Sequence, residues 1–351
     1  MAFLLPDAGR ITRTPSRRAP GADVNRTPSP RPRRPHGCRK SKSARSPADL
    51  IDRSINRKRR APGTMLTARA VAPRIDACEH PGKTMSDHYD QAGVDRLYAA
   101  IWGPNIHYGV YQTGDETIDD AAAAATVVMA ETLAPNAESK LLEVGCGYGT
   151  TARYLAERYG ADVLATNVSK RQLERCRQGL GMALPRGRLR FEAADYHALP
   201  YPDGVFDAWW CQEAMVHAED KAQVIAEAFR VLRPGGKAVV SDHMFWHERM
   251  TPDEFAMVQA RYAGTQVASP ADYRRMLEDA GFRVLAHHDW QAHATTHRRK
   301  VLAKLEALWG ELAAEVDAPT LATTRDAWRA WAKLADEQKL SFDFFLAQKP
   351  V

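Results

Sequence analysis

The residues Leu141-Leu142-Glu143-Val144-Gly145-Cys146-Gly147-Tyr148-Gly149-Thr150 carry the clearest structural signal in this chain. A short apolar run ends in a carboxylate, and glycines then occupy every second position. This pattern predicts a buried strand that enters a tight turn, and residues 151–159 predict the helix that follows. Such a turn at a helix N-terminus brings bare backbone and its N–H groups against a ligand. The sequence therefore predicts a nucleotide-binding loop.

Strand and helix patterns alternate downstream of this loop. Strands are predicted at residues 141–144, 162–167, 189–194, 206–211, 237–241, 281–288 and 340–347. Helices are predicted between the first five strands, at 150–159, 170–179 and 221–232. Alternation at this spacing indicates an α/β fold with a parallel sheet and helices on both faces. Pro234-Gly235-Gly236 is expected to turn the chain before the fifth strand.

A helical insert is expected between the last two strands. Residues 294–316 and 322–337 carry long helical patterns, so we place the insert at about residues 290–338. We expect it to form a cap over the site at the sheet edge.

Charge is distributed unevenly along the chain. Residues 1–84 hold 20 of the 49 Lys and Arg residues but only 6 of the 43 Asp and Glu residues. The rest of the chain, with 29 basic and 37 acidic residues, is therefore net acidic. The basic segment is rich in Pro, Arg and Ser and shows no regular period, which predicts disorder. We divide the chain into this extension, 1–84, and a folded domain, 85–351.

Two hypotheses account for the extension. One is a nucleic-acid tether or targeting signal with Arg57-Lys58-Arg59-Arg60 as its core. The other, which we favour, is a misplaced start codon, because Met65 and Met85 both precede the globular pattern. N-terminal mass spectrometry of the native protein separates the two, since a native peptide from residues 1–60 contradicts the misplaced start.

Cysteine usage and hydropathy point to a cytoplasmic protein. The five cysteines lie far apart without a CxxC pair. That pattern argues against a disulfide framework or a zinc site and suits a reducing compartment. No apolar run approaches the roughly 20 residues of a membrane span, and Phe3-Leu4-Leu5 is too short for a signal-peptide core.

The ends of the second and third strands bear on the choice of nucleotide cofactor. A dinucleotide site needs GxGxxG and a ribose-binding acid about 20 residues later. This loop has the form GxGxG instead, and the second strand ends in Asn167. Both facts argue against NAD. Asp195 and Tyr196 end the third strand, where a carboxylate can accept from an adenine amine while the ring packs on the base.

Two later motifs complete an ordered set, Tyr201-Pro202-Asp203-Gly204-Val205-Phe206-Asp207 and Arg230-Val231-Leu232-Arg233-Pro234-Gly235-Gly236. In this order the motifs resemble those of class I S-adenosylmethionine-dependent methyltransferases. The resemblance implies a Rossmann-like, mostly parallel seven-stranded sheet with an antiparallel last strand, and S-adenosyl-L-methionine as cofactor. Members with a Ser-x-x-Gln pattern manage without the acid that Asn167 replaces. The implied cofactor-binding residues are Gly145, Gly147, Gly149, Asn167, Ser169, Gln172, Asp195, Tyr196 and Gln212.

Four segments resemble one group within this family that is defined by its substrate. They are residues 97–111, 145–156, 210–217 and 241–244. Together they resemble the sarcosine/dimethylglycine N-methyltransferases, from about Asp87 to the C-terminus. The resemblance implies methylation of a small-molecule amine in glycine betaine synthesis. Two positions depart from it, since His243 replaces a usual proline and Cys146 a usual small residue. The alternative is a C- or O-methyltransferase acting on a small natural product, because related enzymes share the neighbourhood of residues 212–217.

Methylation of an amine moves positive charge onto the acceptor, and an aromatic face stabilises such charge by roughly 0.5–2 kcal/mol. Trp102 and Tyr108 lie in the family-like segment, so we predict that they act together with His217. His217 follows the fourth strand and can accept the amine proton or bind a substrate carboxylate; a packing role is its alternative. Glu213 is either a pocket carboxylate or a solvated helix start. The sequence does not single out the arginine that a substrate carboxylate would need.

We predict no metal site. His293 and His297 have the i, i+4 spacing of paired ligands, but no third ligand follows at diagnostic spacing. A solvated surface is therefore the favoured interpretation for both, and for His287-His288-Asp289. No nucleic-acid or membrane partner is expected, because the folded part is net acidic and lacks a span. The sequence leaves a monomer and a homo-oligomer open.

Overall fold

The computed structural model describes residues 92–178, 188–262 and 265–351. The chain divides into two units, Met1–Ala70 and Val71–Val351, and all described residues belong to the second. The extension at residues 1–84 lies outside the described residues, so its disorder and its boundary stay predictions. In the part of the chain that the structure describes, no helix has the length and apolar character needed to cross a bilayer.

The described residues form a seven-stranded sheet. Its strands are β1 (Lys140–Val144), β2 (Asp162–Asn167), β3 (Arg188–Ala193), β4 (Phe206–Gln212), β5 (Leu232–Phe245), β6 (Arg283–His288) and β7 (Leu340–Gln348). The order across the sheet is β3-β2-β1-β4-β5-β7-β6. Strands β1 to β5 pair in parallel, whereas β7 runs antiparallel to both β5 and β6. The predicted Rossmann-like architecture, with its antiparallel last strand, is confirmed.

Helices cover both faces of the sheet. They are α1 (Ala92–Trp102), α2 (Ile118–Leu133), α3 (Thr150–Tyr159), α4 (Lys170–Gln178), α5 (Lys221–Val231), α6 (Pro252–Arg261), α7 (Pro270–Asp279), α8 (Gln291–Ala307), α9 (Trp309–Leu312) and α10 (Ala318–Asp336). Helices α2, α3 and α4 contribute to the core on one face, and α5 and α7 to the core on the other.

Strand β1 carries leucines at successive positions because both of its faces are buried. Successive side chains of a strand point to opposite faces, so Leu141 packs in one core with Met129 and Leu142 packs in the other with Ile225. All four side chains are almost fully buried. Burial of an apolar side chain of this size contributes roughly 1.5–3 kcal/mol. Replacing Leu142 with alanine is expected to cost about 2–5 kcal/mol, because a cavity remains.

Strand β5 is longer than predicted and contains the predicted turn. Pro234-Gly235-Gly236 lies within the strand, with Gly235 at a φ of 78°. Lys349 holds this stretch: its carbonyl accepts the Gly235 N–H at 3.0 Å, and its N–H donates to the Gly236 carbonyl at 2.9 Å. The predicted turn residues therefore lie inside β5 and not before it, because the partner that holds them comes from the end of the chain and leaves no local signal.

The insert between β6 and β7 is helical, as predicted, but its first helix is interrupted. Residues 294–316 were expected to form one helix, whereas α8 ends at Ala307 and the short α9 follows from Trp309. Helices α8 and α10 pack against each other and both contact β7. The insert thereby forms the predicted helical cap.

Candidate active site

The glycine loop joins β1 to α3 at the carboxyl edge of the parallel strands. Gly145, Gly147 and Gly149 have φ values of 68°, 52° and 75°, a conformation that glycine adopts without strain. A Cβ at Gly145 would lie 2.3 Å from the Ala214 Cβ, and one at Gly149 would lie 2.7 Å from the Phe191 ring. A Cβ at Gly147 would meet nothing within 4 Å. Gly147 therefore leaves backbone open to a bound group.

Glu143, the carboxylate that precedes this loop, is buried at the edge of β1. Burial raises its pKa well above the usual range. Its Oε2 has no hydrogen-bond partner among the described residues. A buried acceptor without a protein donor indicates a ligand that carries donors, such as hydroxyl or amino groups.

Asn167, Ser169 and Gln172 form one hydrogen-bonded group after β2. The Asn167 Nδ2 donates to Gln172 Oε1 at 2.7 Å, and Asn167 Oδ1 accepts the Ser169 N–H at 3.0 Å. The Gln172 N–H donates to Ser169 Oγ at 3.2 Å. The structure thus brings these predicted residues together, and their mutual bonds orient Asn167 where an acid is usual in the family.

Asp195 and Tyr196 follow β3, the next strand along the edge. The Asp195 carboxylate accepts the His197 N–H at 2.9 Å, and its side chain is 59% exposed. The Tyr196 hydroxyl donates to the Ala214 carbonyl at 3.4 Å. Tyr196 therefore contacts the same residue that approaches Gly145, so the end of β3 lies close to the glycine loop.

Gln212 ends β4 and connects three other elements. Its Oε1 accepts from the Thr151 hydroxyl at 3.2 Å, and its Nε2 donates to the Thr126 hydroxyl at 3.3 Å. The same Nε2 lies 3.2 Å from His107 Nδ1. Gln212 thus positions the elements around the glycine loop, while a direct contact with the cofactor stays a prediction.

All predicted cofactor residues lie at the carboxyl ends of β1 to β4, a region we call the cofactor edge. The open backbone at Gly147 and the unpartnered Glu143 oxygen fit a ligand that carries hydroxyl and amino donors. S-adenosyl-L-methionine carries both kinds of donor.

A small cavity, the acceptor cavity, lies where the turn after β4 meets the helical insert. Its volume is about 60 Å³. Five aromatic residues line it: Tyr98, Trp102, Tyr262, Trp328 and Trp331. Five charged or titratable residues also line it: Glu213, His217, His243, Arg261 and Arg298. The cavity therefore combines π faces with both signs of charge.

Two of the three predicted catalytic residues, Trp102 and His217, line the acceptor cavity. Tyr108 does not line it and is fully buried. Its backbone N–H donates to Glu213 Oε1 at 2.7 Å, and its hydroxyl accepts from Arg298 Nε. Tyr108 thus supports two residues of the cavity wall. The roles of all three in catalysis stay predictions.

Glu213 is buried in the cavity wall and is not a solvated helix start. Its φ of 54° is left-handed, which costs a non-glycine residue about 1–3 kcal/mol and is typical of functional sites. Its Oε2 lies 3.0 Å from His243 Nε2, and His243 Nδ1 lies 2.6 Å from the Tyr262 hydroxyl. Burial raises the pKa of Glu213. Burial and then the Arg298 charge lower the pKa of His243, which is therefore neutral.

Two arginines bring positive charge to the cavity. Arg298 is 5% exposed, and its Cζ lies 4.7 Å from the centre of the Tyr108 ring and 5.3 Å from that of Trp331. The Arg261 Nη2 donates to the Tyr98 hydroxyl at 2.9 Å. Both guanidinium groups are therefore in place to meet an anionic part of a substrate.

Sequence reasoning missed Arg298 because it lies in the basic run His297-Arg298-Arg299-Lys300, which is typical of a solvated helix face. The spacing of apolar residues along the helix did indicate that Arg298 is buried. Ala294, Val301 and Leu305 are buried, and Arg298 falls on the same face of α8. His243 carried a different signal, its departure from the family's usual proline.

The two histidines of α8 correct a prediction. His297 is fully buried, and its Nδ1 accepts the Gly109 N–H at 3.2 Å. His293 Nδ1 accepts the Tyr111 N–H at 3.2 Å. The i, i+4 spacing places both rings against residues 106–111, so the solvated-surface interpretation was wrong for His297. No group of three or more His, Cys, Asp or Glu within the described ranges could hold a metal ion.

The sheet order, the glycine loop and the capped cavity together define a class I methyltransferase. The family model for a methyltransferase domain matches residues 142–240. A sarcosine/dimethylglycine N-methyltransferase from Halorhodospira halochloris is 32% identical over 274 residues, which is 76% of this chain and 96% of that protein. The chain belongs to the S-adenosylmethionine-dependent methyltransferases, and its cofactor is S-adenosyl-L-methionine.

Of two further similar proteins, one is named for another acceptor and one for sarcosine and dimethylglycine again. The 27-O-demethylrifamycin SV methyltransferase from Amycolatopsis mediterranei is 29% identical over 256 residues, which is 72% of this chain and 93% of that protein. A crystal structure of a candidate sarcosine dimethylglycine methyltransferase from Galdieria sulphuraria is 25% identical, with a TM-score of 0.69. That match covers 75% of this chain and 98% of the other. All three names give methyl transfer, two of them to sarcosine or dimethylglycine and one to a rifamycin.

Proposed function

We propose that this enzyme methylates the amine of sarcosine or dimethylglycine, a step of glycine betaine synthesis. The observation that carries the proposal is the acceptor cavity, which combines two guanidinium groups, a buried carboxyl group and five aromatic residues. A small N-methylated amino acid presents the complementary groups, a carboxylate at one end and a nitrogen that becomes cationic at the other. The name of the Halorhodospira halochloris relative supports the same acceptor.

The size of the cavity supports a small acceptor. One enclosed water needs roughly 10–15 Å³ of such volume, so a cavity of about 60 Å³ has room for about four to six water-sized groups. A small amino acid has this size. A polycyclic or macrocyclic natural product would enter only if the helical insert moved away.

The aromatic walls suit the change of charge during the reaction. Bound S-adenosyl-L-methionine supplies a methyl group from a sulfonium, and positive charge then develops on the acceptor nitrogen. Tyr98 and Trp102 line the cavity from α1, and Trp328 and Trp331 line it from α10. Each ring facing the nitrogen stabilises that charge by roughly 0.5–2 kcal/mol. Glu213 adds a carboxyl group to the same wall.

His217 is the residue that we propose as proton acceptor. An amine attacks a methyl group through its lone pair, so an ammonium substrate must first lose a proton. His217 lies on the cavity wall, four residues after Glu213, and ends the short 3-10 helix Met215–His217. Nearby His243 is held neutral by burial and by the Arg298 charge, so it adds no positive charge against the ammonium.

The cofactor edge has a separate task in this proposal. Gly147 lets the methionine and ribose part approach the backbone, while Asn167 takes the position of the ribose-binding acid. Asp195 and Tyr196 hold the adenine. These residues bind and orient the cofactor, whereas the acceptor cavity orients the amine and excludes water, so that nitrogen and methyl group are aligned.

The alternative is C- or O-methylation of a small natural product, and the rifamycin-modifying relative favours it by name. An assay of the full chain with labelled S-adenosyl-L-methionine separates the two. Glycine, sarcosine, dimethylglycine and a panel of phenols serve as acceptors. We expect label in sarcosine or dimethylglycine and none in the phenols. Transfer to a phenol without transfer to any amine overturns the proposal.

A further inference from the structure

We propose that Arg298 binds the carboxylate of the acceptor and thereby selects amines that carry a carboxylate over amines that lack one. This inference rests on the proposed function, because it concerns the same cavity, but it assigns to one residue a role that the sequence left open.

Arg298 has no counter-ion supplied by the described residues. Its side chain is 5% exposed and lines the acceptor cavity. No described Asp or Glu forms an ion pair with it, although its charge is close enough to lower the pKa of Glu213. Removing a guanidinium from water costs several kcal/mol unless an anion compensates. A carboxylate in the cavity provides that compensation.

The guanidinium group of Arg298 is fixed and partly unused. Its Nε donates to the Tyr108 hydroxyl, and its plane lies near the Tyr108 and Trp331 rings. Its two terminal nitrogens donate to no acceptor among the described residues. A guanidinium that is already oriented and keeps two N–H groups for a ligand suits bidentate binding of a carboxylate.

Two other residues of the cavity bear on this assignment. Arg261 already donates to the Tyr98 hydroxyl, so fewer of its N–H groups are available. Trp102 lines the cavity, and its buried indole N–H has no hydrogen-bond partner in the part of the chain that the structure describes. A carboxylate has acceptor sites for both Arg298 and Trp102. We therefore assign the carboxylate to Arg298 and use Arg261 as a comparison.

The test compares dimethylglycine with dimethylaminoethanol, in which an uncharged hydroxymethyl group replaces the carboxylate. For the full chain we expect Arg298→Gln to lower kcat/KM for dimethylglycine by about 10²-fold, mainly through KM. The same variant should change kcat/KM for dimethylaminoethanol little. Arg298→Lys keeps the positive charge but loses the paired N–H groups of the guanidinium. It should therefore restore part of the kcat/KM for dimethylglycine that Arg298→Gln loses. Affinity for S-adenosylhomocysteine should be unchanged in both variants.

Arg299→Gln is the matched control, because Arg299 follows Arg298 in α8 but is 65% exposed and pairs with Asp336 at 2.9 Å. An equal loss for both acceptors in Arg298→Gln overturns the proposal. The proposal is also overturned if Arg261→Gln lowers kcat/KM for dimethylglycine alone while Arg298→Gln does not lower it. If Arg298→Gln fails to bind S-adenosylhomocysteine, the Arg298→Lys variant is measured instead. If Arg298→Lys prefers dimethylglycine over dimethylaminoethanol as strongly as the wild type does, bidentate binding of the carboxylate by Arg298 is contradicted.

A binding experiment separates this proposal from the proposed function. Calorimetry measures the binding of dimethylglycine and of acetate to the full chain in the presence of S-adenosylhomocysteine, without turnover. If the wild type binds both carboxylates, Arg298→Gln binds neither and no amine is methylated, the role of Arg298 in carboxylate binding is supported and the proposed function fails. If sarcosine is methylated but Arg298→Gln binds dimethylglycine as well as the wild type does, the role of Arg298 in carboxylate binding is refuted and the proposed function stands.

Discussion

The cofactor edge takes its residues from the ends of consecutive strands, whereas the acceptor cavity takes its residues from α1, the turn after β4, β5, α6, α8 and α10. The first relies on backbone conformation, with glycines at positive φ and short polar side chains that bond one another. The second relies on buried charged side chains whose partners lie far apart in sequence, such as Glu213 with Tyr108 and His243. The difference teaches that the residues proposed to bind the cofactor are positioned by local motifs, whereas those proposed to bind the acceptor are positioned by tertiary contacts.

The largest expected effect tests whether backbone conformation at the cofactor edge is needed for cofactor binding. Replacing Gly147 with valine forces a β-branched residue into a φ of 52° and fills the open space beside the loop. We expect affinity for S-adenosyl-L-methionine to fall by about 10²-fold or more, measured by calorimetry. Gly114→Val is the control, because Gly114 also has a positive φ and open space but lies in another loop. Unchanged cofactor affinity in Gly147→Val would refute the role of open backbone.

The next effect tests whether the two regions act separately. His217→Ala removes the proposed proton acceptor from the cavity but leaves the cofactor edge intact. We expect kcat to fall by about 10²-fold, while the Kd for the cofactor stays within about twofold. The control is His247→Ala, since that side chain is 47% exposed. If cofactor binding weakens as much as turnover does, His217 has a structural role and the regions are not separate.

The smallest effect concerns stability and the buried carboxyl group of Asp242, which precedes His243 of the acceptor cavity. Asp242 is fully buried in β5 beside Lys221 and accepts a hydrogen bond from the Tyr273 hydroxyl. Burial raises its pKa from an ordinary 3.8 to about 7. The folded chain therefore keeps this proton where the unfolded chain has lost it, and stability falls as pH rises from about 4 to about 7.

Asp242→Asn removes this proton and should flatten the pH dependence. In that window we expect the slope of the unfolding free energy to change by about 1 kcal/mol per pH unit, measured by urea unfolding at several pH values. Asp253→Asn is the control, because Asp253 is exposed. Parallel curves for wild type and Asp242→Asn would show that Asp242 is ionised throughout, and that burial costs this region less than we infer.

The elements that the sequence predicted well are those whose cause is local. The apolar run of β1, the glycine spacing after it and the alternation of strands and helices all appear within short windows, so sheet class and cofactor edge could be predicted. Strand β5 was predicted too short, because residues 234–236 are held in the strand by Lys349. His297 was assigned to a surface because spacing along a helix does not reveal which face is covered.

The sequence by itself determined the methyltransferase fold, the position of the cofactor edge and two members of the acceptor cavity, Trp102 and His217. The tertiary structure alone decided that Glu213 is buried against His243, and that Arg298 faces the cavity while Arg299 faces solvent. The physical reason is the distance along the sequence between the residues that determine each feature. Backbone turns and strand periodicity are set by neighbouring residues, whereas the burial and pairing of a charged side chain depend on elements that meet only after the chain has folded.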